Sequence, residues 1–243
     1  MRRAIWIALA ALLVFAAFLV ARLPARWVAG WIPSSVQCAR LSGSVWQGHC
    51  AGLAFQGAQL GDMRWSLAAT RLFSGRIAGD VILTKGSLDV RGYVEATPTG
   101  SGTARSLRAV IPLDPTVLPQ TPPGLRGLVR ADLATLEWSG RAITGLSGRI
   151  EGLDLAQRGM ALGDYAIEFP SGSVGSEPVG TLHDLRGPLD VEGTVRLTRE
   201  PGWEIEGLAA ARPEASPELA RQLQYLGRPD SAGRRPFSIA GTW

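Results

Sequence analysis

The sequence predicts a mainly β protein in which an N-terminal transmembrane helix precedes a repeat-like antiparallel β-sheet and one short C-terminal helix. Three observations support this fold class. An uninterrupted apolar run occupies Ala4–Ala21. From Val36 onward, short segments alternate apolar and polar residues and are broken by glycines, a pattern typical of β-strands. In addition, a twelve-residue segment of the first half recurs in the second half.

The apolar run has the length of a membrane-spanning helix. Its eighteen residues, Ala4–Ala21, carry no charge. At 1.5 Å per residue they form a helix of about 27 Å, close to the roughly 30 Å of a bilayer core. Long basic side chains at its ends can reach the lipid headgroups, and tryptophans after it suit the membrane interface. These flanking residues are Arg2, Arg3, Arg22, Arg26, Trp27 and Trp31.

A cleaved signal peptide is the alternative interpretation, and the residues near the possible cleavage sites argue against it. Signal peptidase favours small residues at positions −3 and −1. Cleavage after Ala21, Ala17 or Ala29 would place a large residue at −3 in each case: Leu19, Phe15 or Trp27. We therefore expect an uncleaved single-pass anchor at 4–21, with a cytoplasmic tail at 1–3, a linker at 22–35 and a periplasmic β domain at 36–243.

The charge distribution argues against a nucleic-acid partner. The formal net charge is +4. Arg2, Arg3, Arg22 and Arg26 account for it, because residues 1–26 contain no acid. The β region is therefore neutral overall and lacks the clustered basic surface that nucleic-acid binding requires.

Cys38 and Cys50 are the two cysteines of the chain. In an exported domain, such a close pair is typical of a disulfide, here at the base of a hairpin centred on Ser44. Two buried free thiols are the alternative. A zinc site is disfavoured, because His49 is the one additional ligand type nearby and the spacing fits no usual site.

The alternation predicts which side chains share a face of the sheet. Leu88, Val90 and Val94 fall on one face of their strand, and Leu189, Val191 and Val195 fall on one face of a later strand. We take these six as the candidate apolar face. The predicted strands are 36–46, 51–55, 62–68, 75–84, 87–97, 104–111, 127–138, 145–153, 165–169, 189–199, 203–211 and 237–243.

One helix is predicted near the C-terminus. Ser216 is placed to cap it, Pro217 suits the first helical position, and Gly227 can end it. Its apolar residues Leu219, Leu223 and Leu226 fall on one face, so the helix is expected to pack over the end of the sheet.

An internal similarity predicts two related halves, roughly 36–111 and 124–243. Gly86–Thr97 (GSLDVRGYVEAT) and Gly187–Thr198 (GPLDVEGTVRLT) are identical at seven of twelve positions. Shorter similarities accompany this match, such as Leu60-Gly61-Asp62 with Leu162-Gly163-Asp164. The pattern favours repeated meander units whose strands share one apolar face.

The sequence contains no recognisable catalytic, cofactor-binding or metal-binding pattern. His49 and His183 are far apart and lack the acids or cysteines of a metal or acid–base site. His183 with Asp184 is interpreted as part of an exposed turn before Gly187. No G-x-S-x-G nucleophile motif occurs. We therefore expect a protein that is not an enzyme and needs no cofactor.

The order of several short motifs resembles a known family. A basic N-terminus and an apolar anchor are followed by a tryptophan-containing hairpin motif, a second tryptophan-containing strand and a proline-rich segment, and then by a C-terminal block. After the anchor these motifs are Leu41–Gly48, Met63–Leu67, Pro123–Gly127, Gly187–Asp190 and Leu223–Gly241. Together they resemble the N protein of the type II (general) secretion pathway of Gram-negative bacteria.

The resemblance implies a component of the type II secretion system in the inner membrane, with other secretion subunits as partners and no catalytic residues. The family also resembles anchored periplasmic AsmA-like β proteins, whose curved sheets form half-open, lipid-carrying grooves. This second resemblance implies a curved sheet here. It also leaves an alternative function open, that of an anchored lipid-binding or envelope-maintenance protein with an apolar groove.

Overall fold

The computed structural model describes residues 2–27, 35–115, 117–118, 121–172, 177–198, 200 and 202–242. Most of the predicted linker, including Trp31, lies outside these residues, as does Trp243. Two α-helices, α1 (Arg2–Ala21) and α2 (Pro217–Leu223), flank a large sheet, and 3₁₀ helices occur at Ala25–Trp27 and Ala69–Ser74.

Thirteen antiparallel strands form one sheet in which every strand pairs with its sequence neighbours. The sheet is open, with β1 and β13 at its two edges. This meander confirms the predicted mainly β fold with one short C-terminal helix. The strands are β1 (Val36–Gly43), β2 (Gln47–Phe55), β3 (Ala58–Leu67), β4 (Ile77–Lys85), β5 (Leu88–Ala96), β6 (Ser101–Pro112), β7 (Leu125–Ser139), β8 (Ala142–Gln157), β9 (Met160–Phe169), β10 (Val179–Arg186), β11 (Leu189–Thr198), β12 (Gly202–Ala211) and β13 (Arg235–Thr242).

The apolar run forms α1, and its C-terminal end contacts the first hairpin. The indole N–H of Trp46 donates a hydrogen bond to the carbonyl of Val20 at 2.8 Å. The Val45 N–H donates to the carbonyl of Leu23 at 2.9 Å. Within the part of the chain that the structure describes, no helix was found to combine the length and apolar character needed to cross a membrane. The transmembrane role of 4–21 stays a prediction.

The sheet has one apolar and one polar face along its whole width. The register aligns one apolar row across all thirteen strands: Leu41, Cys50, Met63, Leu83, Val90, Ala109, Ala131, Ile150, Ile167, Leu182, Gly193, Gly207 and Phe237. The adjacent row faces the other way and is polar except at Ile82: Ser42, His49, Arg64, Ile82, Arg91, Arg108, Asp132, Arg149, Glu168, Thr181, Thr194, Glu206 and Ser238. With neighbouring strands about 4.8 Å apart, the sheet measures roughly 58 Å along its width.

The apolar face curves inward between β7 and β13. One buried cluster there joins Leu133 of β7 to Ala209 of β12, with Phe237 of β13 packed against it. Cα atoms of β11 lie within 8 Å of Cα atoms of β8, which is three positions away in the sheet. In a flat sheet, strands three positions apart would be about 14 Å apart. The C-terminal half is therefore concave on its apolar side.

Three local predictions differ from the structure. Strand β10 was missed, because its apolar residues Val179, Leu182 and Leu185 are spaced by three instead of alternating. As a result, His183 and Asp184 lie in a strand and not in an exposed turn. Helix α2 ends at Leu223, before Gly227.

The first hairpin is also displaced from its predicted centre. Its register pairs Gly43 with Gly48, so the turn is centred between Val45 and Trp46 and not on Ser44. The turn closes through Ser44, whose hydroxyl accepts a hydrogen bond from the Gln47 N–H at 3.1 Å.

Candidate functional site: the apolar face

The structure places all six predicted apolar-face residues on the same face of the sheet, but in two different environments. Leu88 is buried in β5, whereas Val90 and Val94 on the same strand are half-buried. In β11, Val191 and Val195 are 6% and 4% exposed and belong to the buried cluster. Leu189 packs against that cluster. The face is thus closed around β11 and more open around β5.

Helix α2 covers the closed part of the face. The Ser216 hydroxyl caps the helix by accepting a hydrogen bond from the Leu219 N–H at 3.2 Å. Leu219 is buried, and Leu223 together with Leu226 packs against the cluster of β7–β13. These contacts confirm the predicted capping and the predicted packing of the helix on the sheet.

The open part of the face presents large apolar side chains that retain access to solvent. Along the aligned apolar row these half-buried residues come from β3, β4 and β5: Met63, Leu83 and Val90. They belong to three neighbouring strands outside the buried cluster and form an open, apolar trough. Contiguous exposed apolar surface of this kind marks a binding site in many soluble domains.

Tryptophans on this face lie against glycines of the neighbouring strand. A Cβ atom at Gly48 would come within 2.0 Å of the Trp65 ring, and one at Gly102 within 2.2 Å of the Trp138 ring. At Gly241 it would come within 2.6 Å of the Trp203 ring. Each glycine therefore leaves room for an indole to lie flat on the sheet, which covers backbone with apolar surface.

A bulge fastened by an aspartate occurs once in each half of the sheet. Between β2 and β3, the Gly52 N–H donates to the Asp62 carboxylate at 3.0 Å. Between β8 and β9, the Asp154 N–H donates to the Asp164 carboxylate at 2.7 Å. Gly52 and Asp154 both have positive φ, at 69° and 50°, and both lie at register shifts of their strand pairs. The recurrence coincides with the sequence similarity around Gly61 and Gly163.

The two aspartates differ in burial, and this difference predicts different effects on stability. The Asp164 side chain is 7% exposed and also pairs with Arg186 at 2.7 Å, whereas the Asp62 side chain is 55% exposed. We expect Asp164→Ala to lower the free energy of unfolding by about 1–3 kcal/mol, because it removes the hydrogen bonds that the buried carboxylate accepts from the Asp154 N–H and the Arg186 guanidinium. Asp62→Ala is the matched control, and it should lower that free energy by less. Urea unfolding of both variants measures the difference, and equal losses would contradict this account.

Arg212, which follows β12, makes one ion pair and one hydrogen bond to a backbone carbonyl. Arg212 donates to the Asp184 carboxylate at 2.6 Å and to the carbonyl of Gly187 at 3.1 Å. Burial raises the pKa of the nearby Tyr165 to about 12, and the Asp184 carboxylate adds to this rise. The Tyr165 hydroxyl stays protonated and donates to the carbonyl of Leu162 at 2.6 Å. Arg212, Asp184 and Tyr165 are therefore paired within the fold, and we assign them a structural role.

The first hairpin carries the disulfide. Cys38 of β1 and Cys50 of β2 are bonded, with their Cα atoms 5.8 Å apart. Cys50 is buried. The bond ties the edge strand β1 to β2 next to the point where α1 contacts the sheet, so it secures the end of the sheet nearest the predicted anchor.

The histidines do not form a site with one another. His49 Nε2 lies 4.0 Å from the Asp62 carboxylate, at the first hairpin. His183 lies on the polar side of β10, opposite Glu192 of β11. Among the residues that the structure describes, no group of three or more His, Cys, Asp or Glu side chains is arranged to hold a metal ion.

Sequence reasoning missed the contacts between distant residues. Asp184 and Arg212 are separated by 28 residues, and Trp46 and Val20 by 26. The similarity of Leu60-Gly61-Asp62 and Leu162-Gly163-Asp164 was the one available signal for the aspartate-fastened bulges, and alone it did not reveal their hydrogen bonds.

Comparison with known proteins identifies relatives for nearly the whole chain. The family model for the type II secretion system (T2SS), protein N, matches residues 34–238, from just before β1 into β13. The type II secretion system protein N of Vibrio cholerae serotype O1 is 25% identical over 231 residues, which cover 86% of each chain. That of Aeromonas hydrophila is 25% identical over 255 residues, which cover 99% of each chain.

A third relative has the same description. The type II secretion system protein N of Klebsiella pneumoniae is 24% identical over 260 residues, covering 100% of this chain and 96% of the relative. No solved structure matches the chain significantly. The family match contains the first twelve strands and the start of β13, and it confirms the resemblance inferred from the order of the sequence motifs. The chain therefore belongs to the type II secretion system protein N family.

Proposed function

We propose that this chain is a non-enzymatic component of the type II secretion system that is anchored in the inner membrane, with its sheet in the periplasm. Its sheet would assist the export of folded proteins across the outer membrane by binding other subunits. The observation that carries this proposal is the family match over residues 34–238, which runs from just before β1 into β13.

The proposed anchor is α1. Residues 4–21 are without charge, and the described large side chains of the helix are more than half exposed. A helix with so much exposed apolar surface requires an apolar surrounding, which a bilayer supplies. The exposed residues are Trp6, Ile7, Leu12, Val14, Phe15, Phe18, Leu19 and Val20.

The polar face of the sheet is the proposed surface for other secretion subunits. From β6 to β9 its ionic groups alternate in sign, with Arg108 3.8 Å from Asp132 and Arg149 2.6 Å from Glu168. Exposed pairs of this kind contribute little to stability but can specify a partner. The β region is neutral overall, which disfavours a nucleic acid as that partner.

A second function is favoured by the open trough on the apolar face. Half-buried side chains such as Met63, Leu83 and Val90 would suit the acyl chains of a lipid. The alternative proposal is therefore an anchored lipid-binding or envelope-maintenance protein. In that case the concave face, and not the polar face, would carry the function.

A complementation experiment tests the two proposals together. The gene is deleted and restored as the full chain, and both the exported folded proteins and the lipid composition of the envelope are measured. Loss of secretion with an unchanged envelope supports the secretion component. Normal secretion with altered envelope lipids would support the lipid-binding protein instead.

Histidine variants in the same strain test the non-enzymatic proposal. His49→Ala and His183→Ala should leave secretion unchanged, because neither side chain belongs to a cluster of ionisable groups. A stable histidine variant that still binds the other subunits but no longer supports secretion would overturn the non-enzymatic proposal. Asp184→Ala is unsuitable for this purpose, because Asp184 pairs with Arg212 and its loss would affect folding.

A further inference from the structure

The connection between β3 and β4 carries the most exposed large apolar side chain among the described residues. In the 3₁₀ helix Ala69–Ser74, Phe73 is 94% exposed and Leu72 is 45% exposed. The connection is nevertheless well defined. The Gly75 N–H donates to the carbonyl of Leu72 at 2.9 Å, and the Ser74 hydroxyl donates to the carbonyl of Arg71 at 2.7 Å. These two hydrogen bonds fix the backbone of the turn, and the Phe73 side chain lies on its solvent-exposed side.

This exposed turn lies beside the last turn of α1. A cleft of about 650 Å³ separates them and is lined by apolar groups from both sides, with Trp46 between them. Its lining residues are Val20, Ala21, Trp46, Ala69, Leu72 and Phe73. The hydrogen bond from Trp46 to the Val20 carbonyl fixes the helix end against the hairpin. The position of Phe73 is therefore set at the level of Val20 and Ala21.

The charges around the turn are basic. Residues 68–78 include Arg71 and Arg76 and no acid, and residues 22–27 include Arg22 and Arg26 and no acid. Arg76 pairs with Glu95, whereas the guanidinium of Arg22 lies over the Phe18 ring, 5.5 Å from its centroid. Arginines next to exposed aromatic residues are typical of segments that sit at a membrane surface with anionic lipids.

We propose that the 3₁₀ helix Ala69–Ser74 inserts into the headgroup region of the bilayer that holds α1, with Phe73 below the headgroups. This second membrane contact rests on the proposed anchor. The bilayer then holds the sheet at two places, through α1 at the first hairpin and through the connection between β3 and β4. Two such contacts fix the tilt of the sheet relative to the membrane, whereas α1 alone would leave that tilt variable. The apolar cleft between the turn and α1 is then filled by acyl chains.

Spin labels on introduced cysteines test the insertion in the full chain. Cys38 and Cys50 are bonded to each other, so a new cysteine can be labelled selectively. Phe73→Cys is compared with Tyr225→Cys, a matched control because Tyr225 is also aromatic, is 91% exposed and lies beyond α2. Val14→Cys reports on the anchor itself. The labelled proteins are placed in vesicles of phosphatidylethanolamine and phosphatidylglycerol, and collision rates with oxygen and with a water-soluble nickel complex are measured.

The expected result is a several-fold higher oxygen-to-nickel ratio at residue 73 than at residue 225, with residue 14 higher still. A ratio at residue 73 equal to that at residue 225, with residue 14 buried in lipid, would overturn the insertion and leave the anchor intact. A low ratio at residue 14 would instead refute the anchor. If the label at residue 73 is shielded from both reagents, it contacts protein, and the membrane proposal is also overturned.

Discussion

Replacing Val191 with Asp is expected to unfold the chain, whereas the same substitution at Val90 is expected to leave it folded. The two valines occupy the same position of the recurring segment, Leu-Asp-Val in both halves. Val191 is 6% exposed and lies inside the buried cluster. A carboxylate there would lose its hydration and gain no partner, a loss of several kcal/mol against a typical total stability of about 5–15 kcal/mol.

At Val90 the carboxylate would keep much of its contact with water. Val90 is half-buried in the open part of the face, so we expect a loss of about 1 kcal/mol or less. Urea unfolding and cellular abundance measure both variants. Unfolding by both substitutions would contradict the division of the face into a closed and an open part.

Secretion and envelope lipid composition, measured together for the Val90→Asp variant, then separate the two proposed functions. If the trough carries lipid, a charge at its floor alters the envelope lipids while the protein still accumulates and secretion stays normal. If the polar face binds other subunits, Val90→Asp is expected to keep both near-normal secretion and an unchanged envelope. Val90→Ala serves as the control, because it removes two methyl groups without adding charge.

Most strands were predictable because water wets one face of this sheet. Where polar and apolar residues alternate strictly, as in Leu88-Asp89-Val90-Arg91, the period of two identifies a strand without further information. In β10 the alternation fails, because Gly180 and Asp184 occupy positions on the apolar face. A side chain at Gly180 would collide with the Phe169 ring, and Asp184 forms an ion pair with Arg212. Both requirements come from tertiary contacts that a local sequence pattern does not contain.

For the same reason, the sequence predicted which residues share the apolar face but not which of them are buried. The sequence placed Val90 and Val191 on equivalent faces, but it gave no sign that their burial differs. Val191 belongs to the buried cluster, against which Leu223 of α2 also packs, whereas Val90 lies outside that cluster. That helix is recognisable from Ser216 and Pro217, but the strands it covers depend on the path of the chain between β12 and β13.

The apolar run near the N-terminus leads to the second large expected effect. Substituting Arg for both Leu12 and Phe15, near the middle of α1, should release the protein from the membrane fraction and abolish secretion. An arginine at the centre of a membrane helix is unfavourable by roughly 2.5–3.5 kcal/mol for insertion. The combined cost of two arginines exceeds the favourable free energy of insertion that the remaining apolar residues of the run supply.

Arginines at the end of the same helix provide the matched control. At Leu19 and Val20 the long side chains can reach the headgroups beside Arg22, so this double variant should stay in the membrane. Carbonate extraction and secretion are measured for both pairs, and the N-terminus of the mature protein is sequenced. If the central pair is retained like the terminal pair, or if the mature chain begins after residue 21, the apolar run is not an anchor. The proposed inner-membrane anchoring is then wrong.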